Sequence, residues 1–233
     1  MSSADKRFEY IQQKENIGAI NNFKFLIDSA ETEFFVFLAS DDYWLPRFLE
    51  ENIGRLTNQA SADASISKVI FESSGQLLRA SNGDFEIVGT SAERLNSYFS
   101  APSDNSRFYS VFRTQKLKQC FESLPSFHAL DWYIMAMSLA NGNHVRVEDV
   151  LMHREIAPDD RYNKTAPIDN AHHHTPDSFP VLPMTIELLT KLRFRLSIKL
   201  TKNLFMLNIK KHKDYMLFKA PRSWYSRALS KII

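Results

Sequence analysis

The feature that most constrains this chain is an apolar run, Phe34–Leu38 (FFVFL), that stops abruptly in Ala39-Ser40-Asp41-Asp42-Tyr43-Trp44. The run is strand length and does not alternate, so it suits a central strand covered on both faces by helices. In open sheets of that kind, ligands bind outside the carboxyl ends of the strands. Two adjacent carboxylates delivered there leave two readings. They are hard oxygen ligands for Mg²⁺ or Mn²⁺ that also binds substrate phosphates, or an aspartate turn with a local capping role.

The flanking sequence keeps an α/β rhythm. Phe8–Gln12 alternates as a strand, Lys14–Gly18 is a polar turn, and Ala19–Ala30 sets Ile20, Phe23, Ile27 and Ala30 at helical spacing. Pro46 opens another helix (PRFLEENIGRL), where proline is tolerated in the first turn. Strand, helix, strand, polar loop, helix predicts an α/β sandwich. Further strands are expected at Ser67–Glu72, Phe85–Val88, Arg107–Arg113, His144–Val147 and Val150–Arg154. Helices are expected at Ser91–Phe99, Thr114–Phe121 and Asp131–Ala140, the last capped by Asn141-Gly142-Asn143. Ala157–Pro180 has four prolines and no apolar period, which predicts a loop or linker. Beyond Pro183 the period is helical, with Ile186, Leu189, Leu192, Leu196, Leu200, Leu204 and Leu207 on one stripe.

Composition excludes several classes. Eighteen Phe, eight Tyr and three Trp argue against disorder, and the single cysteine, Cys120, rules out an internal disulfide scaffold. Cys120 reads as a buried filler. No apolar run approaches the roughly 18 residues of a membrane span. The polar start, Met1–Arg7, predicts no signal peptide and hence a cytoplasmic setting. None of the six glycines falls in a phosphate-loop pattern. His172-His173-His174 reads as a solvated run rather than a metal site.

The net charge of +2 hides a division. From Leu182 onward, twelve Lys/Arg face only Glu187 and Asp214, a local +10 against −8 for the rest. Three readings of this tail stand in order. First is a peripheral helix on an anionic membrane, with Phe218, Trp224 and Tyr225 suited to the interface. Second is a helical pair packed on the body. Nucleic acid comes last, because no recognised module frames the charges.

The ordered set of motifs resembles the family 2 glycosyltransferases of the GT-A fold. The residues that carry it are Asn16-Ile17-Gly18, Asn22, the Phe34–Leu38 strand running into Asp41-Asp42-Tyr43-Trp44, and Phe108–Arg113. Leu130-Asp131-Trp132, Ala140-Asn141-Gly142 and Val150–Arg154 continue the order, so the likeness spans Arg7–Glu155. It implies an α/β fold: a GT-A-like (Rossmann-like) mixed sheet flanked by helices, with a C-terminal helical extension. The expected division is a domain over residues 1–165, a linker over 166–181 and a basic amphipathic tail over 182–233.

The resemblance also implies a function: inverting transfer of a sugar from a nucleotide-diphosphate donor to a saccharide or lipid-linked acceptor hydroxyl. The implied setting is cell-surface polysaccharide or lipopolysaccharide synthesis at the inner face of the cytoplasmic membrane. By resemblance, Asp131 is the catalytic base, although from the residues alone it reads as a helix N-cap. Asp41 and Asp42 would hold Mg²⁺ or Mn²⁺ against the diphosphate. Asn16, Gly18, Asn22, His153 and Arg154 would lie on the donor side, and Trp44, Arg113 and Trp132 on the acceptor side. No nucleic-acid partner is expected; an anionic membrane is expected for residues 183–233.

Two departures qualify the match. Ala39 stands where the family's first Asp of Asp-x-Asp would be, and the family's first two strands, which bind the base and ribose, have no counterpart. The expectation is an N-terminally incomplete domain. The alternative function is therefore an inactive fragment, or an interaction module that retains the acceptor half.

Overall fold

The computed structural model describes residues 7–100, 104–122, 124, 129–156, 181–192 and 198–219, the side chains of 213–219 excepted. In chain order the elements are α1 (Gly18–Ser29), β1 (Phe34–Phe35), β2 (Tyr43–Trp44), α2 (Phe48–Asn58), β3 (Ala62–Ser73), β4 (Gln76–Ala80) and α3 (Ser91–Ser100). A 3₁₀ turn (Ser106–Tyr109), β5 (Val111–Arg113), α4 (Thr114–Phe121), α5 (Leu130–Asn141) and β6 (Asn143–Glu155) follow. The chain ends in α6 (Leu182–Lys191) and α7 (Ile198–Lys219).

The sheet is mixed, in the order β1-β5-β3-β6-β2, with β4 paired to β3. Its centre is the long parallel pair β3 and β6, and every other pairing is antiparallel. The buried residues form two core clusters. Ile66 of β3 shares one with Phe48 and Leu56 of α2. The larger is built from α1, α3, α4, α5, α6 and α7, together with Ala64 of β3. This is the mixed α/β sheet flanked by helices that the sequence predicts. Gly142, between α5 and β6, lies so close to Asp63 that a Cβ there would collide with its carboxyl group.

Several local expectations are corrected. Phe34–Leu38 is not a central strand: only Phe34–Phe35 pair, with β5, at the sheet edge. Its side chains are half-buried apart from buried Phe37 and exposed Leu38. Apolarity reported burial there, but carried no information on which strands lie alongside. Phe8–Gln12 forms no strand and leaves Phe8 and Tyr10 more than four-fifths exposed, at 82% and 86%. Phe85–Val88 is reduced to a single bridge, Ile87 to His144. Arg107–Arg113 splits into the 3₁₀ turn and β5. The two expected late strands are one, β6, whose register jumps from Val147 to Val150 so that Glu148 and Asp149 bulge out. The missed β4 follows Ser74-Gly75, both at positive φ (51° and 79°), the backbone of a tight hairpin.

The leucine stripe also goes where the first reading of the tail did not put it. Met184, Leu188, Leu192, Leu200, Leu204 and Leu207 are buried in the larger core cluster with α3 and α5. Asn208 Nδ2 donates to Thr185 Oγ1 at 2.7 Å, pinning α7 to α6. Leu192, Leu200, Leu204 and Leu207 of the stripe are thus spent on helix packing, Ile186 of the stripe stays exposed, and exposed Ile198, Phe205 and Met206 lie off it. Among the described residues, no helix is long and apolar enough to cross a membrane. The linker at Ala157–Pro180, the histidine run, Leu196, Trp224 and Tyr225 lie outside the described residues.

Candidate functional site

The site is built at the corner where β2 meets the end of β6. The Asp42 N–H donates to the Ala39 carbonyl (3.2 Å), closing a turn that aims the two aspartates. Asp41 is exposed and Asp42 is buried. Pairing of β2 with β6 sets Tyr43 opposite His153, so the next residue, Arg154, reaches Asp42. Arg154 Nε donates to Asp42 Oδ2 at 3.2 Å, and the Glu155 N–H donates to Oδ1 at 3.1 Å. Burial pushes the Asp42 carboxyl above its ordinary range, outweighing the downward pull of Arg154 and of both hydrogen bonds. On the neighbouring face, Tyr43 and His153 stack at 4.8 Å. The Tyr43 hydroxyl donates to Glu72 Oε2 (3.2 Å), and His153 Nδ1 meets the same oxygen at 3.2 Å.

Asp131 sits in the first turn of α5 but does not cap it. The cap is Ala129, at φ 66°, and it makes no side-chain cap bond. Instead Asp131 Oδ2 accepts from Asn105 Nδ2 at 2.7 Å, and Asn105 Oδ1 accepts from the Tyr98 hydroxyl at 2.7 Å. The helix cap predicted from the residues alone is thereby replaced by a hydrogen-bonded pair.

Tyr109 joins the two halves. The Arg154 guanidinium lies over its ring, 4.3 Å from the centroid. Burial raises the Tyr109 phenol's pKa above its ordinary value; Arg154 opposes the shift, while Asp42, Asp131 and Asp41 add to it. This phenol is therefore acted on by Arg154 of β6, by Asp41 and Asp42 in the turn before β2, and by Asp131 of α5. Sequence reasoning placed Tyr109 inside a strand and passed over both it and Asn105. The available signal for Asn105 was its type, since asparagine tolerates the left-handed backbone (φ 51°) that starts the 3₁₀ turn.

The remaining candidates are distributed differently. Trp132 is half-buried beside Asp131, with Tyr98 5.8 Å away. Trp44 stacks on Phe48 at 4.7 Å, against the α2 side of the sheet. Arg113 donates to the Leu56 and Ala62 carbonyls (2.8 and 3.0 Å), tying α2 to β3. Asn16 Oδ1 accepts from the Gly18 N–H at 2.9 Å, a turn that opens α1, and Asn22 is exposed on that helix. Among the described residues no three His, Cys, Asp or Glu cluster as a metal site by themselves. The donor set still fits Mg²⁺ or Mn²⁺ brought with a diphosphate, because such ions take one or two carboxylates and complete their shell from phosphate oxygens. Asp41 is the exposed carboxylate of the pair.

No curated protein matches this chain. Among solved structures it is similar to residues 1–349 of TarS from S. aureus, at 15% identity and a TM-score of 0.41. The alignment covers 84% of this chain and 58% of that one, so this chain spans little more than half of the TarS structure. The family model described as glycosyl transferase family 2 matches residues 1–121, a stretch that holds α1, the Asp41-Asp42 turn and the Asn105–Tyr109 segment. That stretch is more than half of the 233 residues. The chain belongs to glycosyl transferase family 2.

Proposed function

We propose that the chain transfers a sugar from a nucleotide-diphosphate donor to an acceptor hydroxyl, with inversion at the anomeric carbon. The observation that carries this reading is Arg154, bound to Asp42 at 3.2 Å and lying over the Tyr109 ring at 4.3 Å, beside the exposed Asp41 carboxylate. Asp131 takes the hydroxyl proton as the acceptor oxygen bonds to the anomeric carbon. The bond from that carbon to the diphosphate oxygen breaks, and its electron pair leaves with the nucleoside diphosphate. Asp41, together with diphosphate oxygens, would hold Mg²⁺ or Mn²⁺, whose charge offsets that of the leaving group. Arg154, oriented by Asp42, contributes a second positive charge on the same side. Asn16, Gly18, Asn22 and His153 belong to the donor side of this reading. Trp132, Trp44 and Arg113 are its acceptor-side residues, the last two also making packing and hydrogen-bond contacts within the fold.

The proposed setting is cell-surface polysaccharide or lipopolysaccharide assembly at the inner face of the cytoplasmic membrane. The exposed face of α7, with Ile198, Phe205 and Met206 beside Lys199, Lys202 and Lys210, supports contact with anionic lipid. A second reading, a non-enzymatic interaction module, draws support from Ala39 and from the engagement of Asp42 by Arg154.

The test is release of nucleoside diphosphate from a panel of UDP-, GDP- and TDP-sugars with Mn²⁺. Wild type should release it from at least one donor and Asp131→Asn should not. Equal release by both proteins contradicts the assigned base, and no release from any donor favours the second reading.

A further inference from the structure

We infer that Asn105 is the positioning residue for the Asp131 carboxylate and that Tyr98 holds Asn105 in register. This rests on the reading of Asp131 as the base. An ionised carboxylate only accepts hydrogen bonds, so the Asn105 amide must turn Nδ2 toward Asp131 and Oδ1 toward Tyr98 (both contacts 2.7 Å). Tyr98 must then donate. It is suited to that, because burial and the charge of Asp131 push its phenol well above 10, keeping the proton in place.

The backbone supports the same arrangement. Asn105 is 4% exposed, and at φ 51° it occupies the left-handed region. Ala129, which precedes the turn bearing Asp131, is also left-handed, at φ 66°. Two non-glycine residues in this sparsely populated conformation thus bracket one carboxylate, and such conformations persist only where the surroundings hold them.

The chemistry that follows is specific. A neutral donor favours the charged carboxylate over the acid, so Asn105 keeps Asp131 ionised and fixed in plane before the acceptor arrives. Because an amide cannot take up the proton, Asn105 does not draw an abstracted proton away from Asp131. Arginine or lysine at position 105 would hold the carboxylate too, but would depress its basicity far more.

The test is a carbon-detected NMR titration of the Asp131 carboxyl in the full chain, assigned with Asp131→Asn. Asn105→Gly removes the amide while glycine adopts the left-handed backbone without strain. The Asp131 pKa should rise by about one unit in Asn105→Gly and by less in Tyr98→Phe. The acid limb of nucleoside diphosphate release should move to higher pH by the same amounts. An unchanged pKa in Asn105→Gly overturns the inference, and it leaves the base reading standing if Asp131→Asn abolishes release. A lowered Tm with pKa and acid limb in place assigns Asn105 a merely structural role and also overturns it. A shifted pKa together with full release by Asp131→Asn overturns the base reading, and the positioning role with it.

Discussion

Asp42 and Asp131 lie at the two ends of the candidate site and are engaged by different chemistry. The Asp42 side chain is only 2% exposed and answers a guanidinium, with a backbone N–H on its second oxygen. Asp131 is half-buried and answers a neutral amide. A buried carboxylate bound to arginine acts as a strut, here joining the 39–42 turn to the end of β6. A carboxylate held by an amide keeps its orientation and remains able to accept a proton. On the proposed reading the two aspartates thus divide the labour, the first supporting Arg154 and the second facing the chemistry.

Removing each carboxylate in turn breaks the comparison most sharply. Asp131→Asn should lower nucleoside diphosphate release by roughly 10²- to 10⁴-fold, the range for a lost general base, with an unfolding midpoint close to wild type. Asp42→Ala should do the reverse in stability, costing about 3 kcal/mol in urea unfolding because Arg154 is left without its partner. Equal destabilisation by both substitutions would erase the distinction.

The tail repeats the contrast in apolar form. Leu204→Ala, inside the larger core cluster, should cost about 3 kcal/mol, whereas exposed Phe205→Ala should cost less than about 0.5 kcal/mol. A third contrast is with His144, fully buried with Nε2 2.8 Å from Ser138 Oγ. Burial first, then Arg107 and Arg94, hold its pKa well below 6.5. The folded state keeps it neutral while the unfolded chain protonates it, so stability is complete above about pH 6.5 and falls on acidification by up to about 1.4 kcal/mol per pH unit. His144→Gln should flatten that slope in urea titrations between pH 6.5 and 5. The last contrast is on the exposed face of α7: Lys199→Ala and Lys202→Ala should each weaken binding to anionic vesicles by about 1 kcal/mol. Unchanged binding would separate this face from the membrane.

Helices were legible wherever their own periodicity sufficed. Thr114–Phe121 was read without error, and the predicted spans for α1, α3 and α5 differ by about a residue at their ends. What period and composition could not supply was adjacency. Phe34–Leu38 announces burial but not an edge position, and the stripe from Leu200 to Leu207 announces an apolar face but not what covers it. The single strand β6 was split because the Glu148–Asp149 bulge looks, in sequence, like a turn. In the site, the family motifs pointed to Asp41, Asp42 and Asp131. Asn105 and Tyr109 stayed hidden because their meaning lies in contacts: Asn105 reaches Asp131 across 26 positions, and Arg154 reaches Asp42 across 112.

The most direct measurement of the central claim is thermal stabilisation of the full chain by UDP, GDP or TDP, with and without Mn²⁺. Wild type should gain stability from at least one of them only when Mn²⁺ is present, and Asp41→Ala should lose that gain while keeping its own midpoint. Identical midpoints with and without Mn²⁺ for all three diphosphates would contradict a donor site at Asp41.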